Sequence, residues 1–149
     1  MAGSKFKIQE LIDKLGGVMV KVGADLPASG AYALLIEVAR KLKIRTGAHG
    51  RAELDAGLYL YAGRASRGLP QRVARHCRRV KPIRWHIDHI TARRGTRILA
   101  ILVFAERPDV ECEIIRACLR QGSARIPLAR FGSGDCAEGC PAHLLLLEG

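Results

Sequence analysis

A row of side chains that can bind phosphate lies on one predicted helix of this 149-residue chain. Arg72, His76 and Arg79 stand at positions i, i+4 and i+7, so they share one face of a helix. Tyr61 lies near the end of the strand predicted just before that helix. A phenol close to a guanidinium and an imidazole is a suitable place to hold a phosphate group. His76 can also act as an acid or a base, or simply pack at the border of the apolar face.

The elements that position these residues are a strand, a turn and a helix in residues 57–79. Apolar residues alternate with Tyr59 and Tyr61, which is the two-residue period of a strand. Gly63 and the polar residues after it predict a turn, and Pro70 suits the first turn of a helix. The positions of this helix expected to face the core are Leu69, Val73, Cys77 and Val80.

The positive charge of the chain, +11 in total, is concentrated in the same region. Eleven Lys and Arg residues lie between Arg64 and Arg97, and Asp88 is the one acid among them. So dense a basic cluster predicts a surface that binds a polyanion. Aromatic residues make up only 5% of the chain, which favours contact with the phosphate backbone over stacking on unpaired bases. The predicted nucleic-acid-binding residues are Arg64, Arg67, Arg75, Arg79 and Arg84.

The composition predicts a single globular domain in the cytoplasm. Hydrophobic residues make up 48% of the chain, which argues against disorder. No run approaches the ~20 apolar residues of a membrane span, and the charged N-terminus lacks the apolar centre of a secretory signal. The five cysteines are an odd number, so we expect reduced thiols rather than disulfides.

Cysteine and histidine lie at short spacings near the C-terminus, at Cys136, Cys140 and His143. These are soft ligands of the kind that bind zinc, which usually takes four. The candidates for a fourth ligand are Cys77, Cys112 and Cys118. The pattern favours zinc less than a second interpretation, in which the cysteines are small buried residues. Asp135 and His143 would then stabilise the loop or line the same groove as Tyr61.

Residues 85–88 form a third group with a choice of roles. His86 and Asp88 would point to one side of a strand, where they could form a proton relay or supply an extra metal ligand. Asp88 could equally orient the imidazole of His86, or cap a helix.

Two tripeptides connect these groups to a known family. Gly30-Ala31-Tyr32 opens an apolar strand, and Tyr61-Ala62-Gly63 lies in a later one. The pair resembles the signature tripeptides of the GIY-YIG nuclease superfamily, with alanine in place of the usual isoleucine. Other motifs resemble the branch that occurs alone or fused to endonuclease III-type DNA glycosylases. They are Arg72-x-x-x-His76, Trp85-His86-Ile87-Asp88, Glu111-Cys112-Glu113, and Gly132-Ser133-Gly134-Asp135-Cys136 followed by His143-Leu144.

The resemblance implies a metal-dependent endonuclease that hydrolyses phosphodiester bonds in DNA, with a DNA-repair protein as a candidate partner. Of Tyr32 and Tyr61, one would position or deprotonate the attacking water and the other would help to hold that arrangement. Arg72 would bind the phosphate. The ligand of Mg²⁺ or Mn²⁺ would be Glu111, or alternatively Glu113, at the start of a later helix. Acids in a first helical turn also stabilise a helix without any metal. The alternative function is a non-catalytic nucleic-acid-binding module on the same scaffold.

The predicted fold is α+β, with a small, mainly antiparallel central sheet flanked by helices. Residues 1–29 are expected to form an N-terminal extension with a helix ending at Gly16 and a brief strand, and residues 30–149 the nuclease-like domain. Residues 41–46 are predicted as a hairpin partner of the strand 30–38, and residues 47–55 as a loop. The remaining predictions are a central strand at 97–105, a helix at 110–121, and final strands at 126–131 and 143–147.

Overall fold

The computed structural model describes residues 7–134 and 136–148. These residues form four α-helices, eight β-strands and a short 3-10 helix at Pro108–Val110. The helices are α1 (Ile8–Leu15), α2 (Leu69–Cys77), α3 (Asp88–Thr91) and α4 (Glu111–Arg120). The strands are β1 (Val18–Val20), β2 (Gly30–Val38), β3 (Leu42–Thr46), β4 (Gly50–Leu54), β5 (Gly57–Ala65), β6 (Thr96–Ala105), β7 (Ala124–Arg125) and β8 (Leu144–Leu147). No helix in the described ranges is long and apolar enough to cross a membrane.

Six of the strands form one sheet in the order β1-β6-β2-β5-β8-β7, and each pair of neighbours is antiparallel. β2 lies in the middle because it is apolar on both faces, and eight of its nine residues are buried. The predicted α+β class, with a mainly antiparallel sheet flanked by helices, is confirmed.

The alternation of side chains along β2 divides the interior into two cores. Tyr32, Leu34 and Ile36 face one core, which also contains the buried apolar residues of α2 and α3. Residues Ala31, Ala33 and Leu35 face the other core, together with the apolar residues of α1 and α4. Helices α2 and α4 therefore pack against opposite faces of the sheet.

The N-terminal extension joins the same sheet. Strand β1 pairs with the outer edge of β6, and α1 packs against α4. The helix ends at Gly16, whose φ of 79° suits a left-handed C-terminal cap. A Cβ atom on the next residue, Gly17, would overlap the ring of Phe104 in β6. The backbone of the extension therefore lies directly on the sheet at this point.

The hairpin predicted between residues 30–38 and 41–46 is wrong. Strand β3 pairs with β4, within the segment predicted as a loop, and the two form a separate two-stranded sheet. The physical reason is that both edges of β2 are already occupied, by β5 and by β6. Leu42 and Ile44 still turn inwards and extend the core on the side of α2.

Helix α2 is shorter than its apolar pattern predicted. It ends at Cys77 because the backbone at Arg78 becomes extended. Cys77 is exposed and Val80 is 92% exposed, so their predicted place in the core is wrong, and His76 is buried instead. The predicted strand at 126–131 is also wrong, since these residues are irregular and the nearby strand is only Ala124–Arg125.

Candidate active site

One pocket of about 300 Å³ brings together the five predicted catalytic residues. It is lined by Tyr32 and Tyr61 from the central sheet, Arg72 and His76 from α2, and Glu111 from the start of α4. These five residues come from four elements and are widely separated along the chain. The other lining residues are Gly63, Arg64, Trp85, Gly132, Cys136 and His143.

The glycine of the second tripeptide is required by the packing of the first tyrosine. Gly63 is the direct cross-strand partner of Tyr32, and a Cβ atom at this position would overlap the phenol of Tyr32. Gly30 meets a similar restriction, because its Cβ would lie 2.5 Å from the carbonyl oxygen of Phe104. Its φ of 152° is also one that residues with side chains rarely adopt. Gly63 therefore leaves room for the phenol of Tyr32, and Gly30 allows β2 to approach the backbone of β6 closely.

Tyr32 is hydrogen-bonded to His76 inside the pocket. The phenolic oxygen lies 2.7 Å from Nε2 of His76, and both side chains are 1% exposed. Burial, with the positive charge of Lys81, lowers the pKa of His76 to about 3. His76 is therefore neutral at physiological pH, and its Nδ1 has no hydrogen-bond partner among the described residues.

Both pocket phenols hold their protons tightly. Burial raises the pKa of Tyr32 well above its ordinary value, and Tyr61 and Glu111 add to the shift while Arg72 opposes it. Burial and the charge of Glu111 raise the pKa of Tyr61 in the same way, again against the effect of Arg72. Both hydroxyl groups are therefore hydrogen-bond donors at neutral pH. Arg72 is the positive charge that favours their ionised form.

Arg72 is positioned by a carbonyl group and an aromatic ring. Its Nη1 donates to the carbonyl oxygen of Arg64 at 3.0 Å, and its guanidinium lies 5.0 Å from the centre of the Trp85 ring. Arg75, one turn further along α2, lies 4.5 Å from the same ring. The indole of Trp85 therefore contacts two guanidinium groups, an arrangement stabilised by the negative face of the ring.

Arg75 and Asp88 belong to a buried ionic network behind the pocket. The guanidinium of Arg75 donates to both carboxylate oxygens of Asp88, at 2.9 and 3.0 Å. Backbone N–H groups of Arg84 and Trp85 donate to the same carboxylate, and the ammonium of the buried Lys81 lies 4.0 Å away. Burial alone would raise the pKa of Asp88, but the hydrogen bonds from Arg75 and the backbone outweigh it and lower that pKa.

This network changes two predicted roles. Residues 85–88 do not form a strand, and Asp88 is fully buried at the start of α3 and does not line the pocket. The predicted relay role of Asp88 is therefore wrong. Arg75 is engaged by Asp88 and by the carbonyl oxygen of Pro82, and its side chain is only 12% exposed. Of the five arginines predicted to bind nucleic acid, the other four are exposed: Arg64, Arg67, Arg79 and Arg84. Arg79 lies beyond the end of α2, so its predicted place on one helical face with Arg72 and His76 is wrong. It donates to the carbonyl oxygens of Arg93 and Thr96.

Glu111, and not Glu113, faces the pocket. One carboxylate oxygen of Glu111 lies 3.5 Å from Nε of Arg64, and the other lies 3.4 Å from Nδ1 of His143. The side chain is 13% exposed. Burial raises the pKa of this carboxyl, against the opposing effect of Arg64 and Arg72.

Beside the pocket lies a group of four soft ligands that could hold a metal ion. Donor atoms of Cys112, Cys136, Cys140 and His143 all lie within 4.8 Å of one another. Of the three candidates for the fourth ligand, Cys112 is thus the one that meets the C-terminal group. Burial raises the pKa of Cys136, but N–H groups of Cys140 and Glu138 and the thiol of Cys112 outweigh it and lower that pKa. Three of the four ligands are buried.

The loop before β8 forms one wall of the pocket. His86 lies behind this loop, where its Nδ1 accepts a hydrogen bond of 3.0 Å from the N–H of Gly132. It is not among the residues that line the pocket, whereas His143 is. Asp135 lies outside the described residues.

Lys81 was not singled out from the sequence, and Gly132 was noted there only as part of a motif. The ammonium of Lys81 turns back onto the last carbonyl groups of α2, those of Arg75 and His76. A lysine just after a helix end is the available signal, since cations there complement the helix dipole. Gly132 has a φ of 74°, and a Cβ there would lie 3.0 Å from the ring of Tyr61. Its place in the Gly132-Ser133-Gly134 motif is the signal in that case.

Residues 31–149 match the model of a protein family described as Domain of unknown function DUF123. The match extends over well more than half of the chain. No curated protein and no solved structure matches the chain.

Proposed function

The chain belongs to the DUF123 family, and we propose that it is a metal-dependent phosphodiesterase that cleaves nucleic acid, with DNA as the expected substrate. The observation that supports this proposal is the shared pocket of Tyr32, Tyr61, Arg72, His76 and Glu111. The same residues carry the resemblance to the GIY-YIG nucleases. A pocket with phenols, a guanidinium and a carboxylate has the donors, the positive charge and the metal ligand that phosphodiester hydrolysis requires.

Arg72 is the proposed phosphate-binding residue. One of its N–H groups is used by the carbonyl oxygen of Arg64, and stacking on Trp85 holds the guanidinium plane. The remaining N–H groups can donate two parallel hydrogen bonds to phosphate oxygens, which lysine cannot reproduce. Charge that develops on the phosphate during cleavage would therefore meet a donor whose orientation is already fixed.

The two phenols are proposed to position the attacking water. Because both are protonated in the free protein, each can donate a hydrogen bond to water or to a phosphate oxygen. For Tyr32 to accept a proton instead, its pKa must fall, and Arg72 already acts in that direction. The neutral Nε2 of His76 lies within hydrogen-bond distance of the same oxygen and fixes its direction. His76 is thus proposed to position Tyr32.

Glu111 is the proposed ligand of Mg²⁺ or Mn²⁺. Mg²⁺ commonly binds one or two carboxylates and completes its shell with water and substrate phosphate. Glu111 fits this need, because it supplies hard oxygen atoms in the same pocket as the phosphate-binding Arg72. A bound divalent ion would supply Lewis-acid stabilisation of the negative charge on the phosphate.

The exposed arginines around the pocket are proposed to hold the nucleic-acid backbone. Arg64 borders the pocket, and Arg67 lies in the turn before α2. Arg84 lies next to Trp85, whose ring lines the pocket. Contacts of this kind position a duplex without reading its sequence. A DNA-repair partner, suggested by the glycosylase fusions of the resembling family, belongs to the same proposal.

The decisive experiment is metal-dependent nicking of a supercoiled plasmid, with Mg²⁺ or Mn²⁺, together with branched and damaged duplexes. We expect Arg72→Ala to slow cleavage by roughly 100-fold or more while the Kd for DNA changes only a few-fold. Arg120→Ala is the matched control, since Arg120 is an exposed arginine at the far end of α4. Equal cleavage by the two variants would contradict the proposal.

The raised pKa values of both phenols favour a second candidate, a non-catalytic nucleic-acid-binding module. For both the module and the nuclease, the logarithm of the association constant for DNA would fall linearly with the logarithm of the salt concentration. The salt dependence of binding therefore does not distinguish them. The absence of nicking across both metals and all DNA structures, with DNA binding retained, would select this candidate.

A further inference from the structure

We propose that Cys112, Cys136, Cys140 and His143 bind one structural Zn²⁺ ion, and that this ion sets the orientation of Glu111 through the imidazole of His143. The site is separate from the Mg²⁺ or Mn²⁺ position proposed above. Only the role of Glu111 as a ligand of that second ion rests on the proposed function.

The distances within the cluster suit a tetrahedral ion. Zinc–sulfur bonds of ~2.3 Å in a tetrahedron place two sulfur atoms about 3.8 Å apart. The Sγ atoms of Cys112 and Cys136 are 3.4 Å apart, and Sγ of Cys112 lies 3.9 Å from Nε2 of His143. All four donor atoms fall within 4.8 Å of one another, so small shifts would complete the coordination.

The chemistry of the ligands favours zinc over the hard divalent ions. Thiolates and imidazole are soft or borderline ligands, whereas Mg²⁺ and Mn²⁺ prefer carboxylates, carbonyl groups and water. Three cysteines and one histidine form a common structural zinc set, in which four protein ligands leave no open position for substrate. Cysteines in the reduced state are required, and the described cysteines are all free.

The ion would join two parts of the pocket wall that are distant in sequence. Cys112 belongs to the first turn of α4, next to Glu111. The other three ligands lie on the loop before β8, which reaches the sheet through a hydrogen bond of 2.9 Å from the N–H of Ala62 to the carbonyl oxygen of His143. Cys136 and His143 also line the pocket itself. Zinc would therefore hold the start of α4 against the loop.

His143 provides the connection to Glu111. Its Nε2 faces Cys112, and its Nδ1 lies 3.4 Å from a carboxylate oxygen of Glu111. An imidazole bound to zinc through Nε2 must carry its proton on Nδ1, which then donates to the carboxylate. The metal thus selects the tautomer that orients Glu111 in the pocket.

The first test measures zinc in the full chain, purified under reducing conditions from medium supplemented with zinc. We expect about one zinc per chain, and thiolate-to-metal charge-transfer bands when Co²⁺ replaces it. Losing a group that only hydrogen-bonds to a metal ligand lowers metal affinity by roughly 10- to 100-fold. Cys140→Ser removes a ligand itself, so we expect it to lower the zinc affinity by at least that factor. Cys77→Ser is the control, because Cys77 is exposed and outside the cluster.

The second test follows the tautomer of His143 by long-range ¹H–¹⁵N NMR, with His143→Asn to assign the signals. We expect a proton on Nδ1 and metal on Nε2 in the zinc-loaded protein.

A chain without bound zinc and without cobalt–thiolate bands would overturn the proposal, as would equal zinc affinities of the Cys140→Ser and Cys77→Ser variants. If Cys140→Ser does not fold, the wild-type cobalt spectrum decides. Metal coordination through Nδ1 would refute the link to Glu111. None of these measurements depends on cleavage, so failure of the nuclease proposal is a separate result.

Discussion

Replacing Gly63 by alanine tests whether the absence of a side chain at this position is what allows the phenol of Tyr32 to pack there. The new Cβ atom would lie 2.5 Å from Cζ of Tyr32 and closer still to its hydroxyl oxygen. The backbone cannot easily retreat, because Tyr32 and Gly63 are paired residues in the centre of the sheet. The phenol must therefore move away from His76.

The cost can be worked out from the contacts. Overpacking a dense core typically costs about 1–3 kcal/mol. Separating Tyr32 from His76 leaves two buried polar groups without partners, at about 1–3 kcal/mol. Since both effects arise from one displacement, we expect a loss of about 2–4 kcal/mol in the free energy of unfolding. Urea denaturation followed by fluorescence measures it, and Trp85, the one tryptophan of the chain, lines the pocket.

Two comparisons make the test specific. Gly47→Ala is the matched control, because a Cβ atom at Gly47 has no neighbour within 4 Å, and we expect a change within about 0.5 kcal/mol. In a Tyr32→Leu background the obstructing phenol is absent, so Gly63→Ala should cost little more than the control. An unchanged cost in that background would refute the steric explanation.

Two further predictions concern buried charge. Because the pKa of His76 is about 3 in the folded state and near 6.5 unfolded, the unfolded state binds more protons between these values. The free energy of unfolding should therefore keep its full value above pH 6.5 and fall by about 1.4 kcal/mol per pH unit below it. His76→Gln should remove this dependence. Parallel wild-type and variant unfolding curves between pH 7 and pH 4 would contradict this. Asp88→Asn leaves the buried ammonium of Lys81 without its counter-charge, and should cost about 3–5 kcal/mol in urea denaturation. Glu53→Gln breaks an exposed pair with Lys41 and should cost less than about 1 kcal/mol; equal losses would refute the role of burial.

The residues that could be predicted from the sequence are those fixed by local periodicity. Tyr61, Arg72 and His76 belong to one strand-turn-helix unit, so spacing alone placed them on neighbouring surfaces. The choice between Glu111 and Glu113 could not be made in this way. It depends on how α4 rotates against the sheet, which is decided by buried residues such as Ile114 and Ile115.

The residues that could not be predicted are those brought together by tertiary packing. Cys112 lies 24 residues before Cys136, and nothing in the spacing distinguished it from Cys118 or Cys77 as a fourth ligand. The end of α2 was missed for a related reason. Val80 fits the apolar repeat, but the buried Lys81 reaches back to the last carbonyl groups of the helix and ends it earlier.

The basic residues clustered in the sequence have two different structural roles. Of the eleven cations between Arg64 and Arg97, Arg75 and Lys81 point inwards and neutralise Asp88, so they do not add to the surface that would meet a polyanion. Their hydrogen bonds hold α2 against α3 and place Arg75 on one side of Trp85. Arg72, one turn earlier, contacts the same ring and faces the pocket. The buried cations thus fix the helix, and that fixed helix allows the neighbouring guanidinium to be oriented before any phosphate arrives.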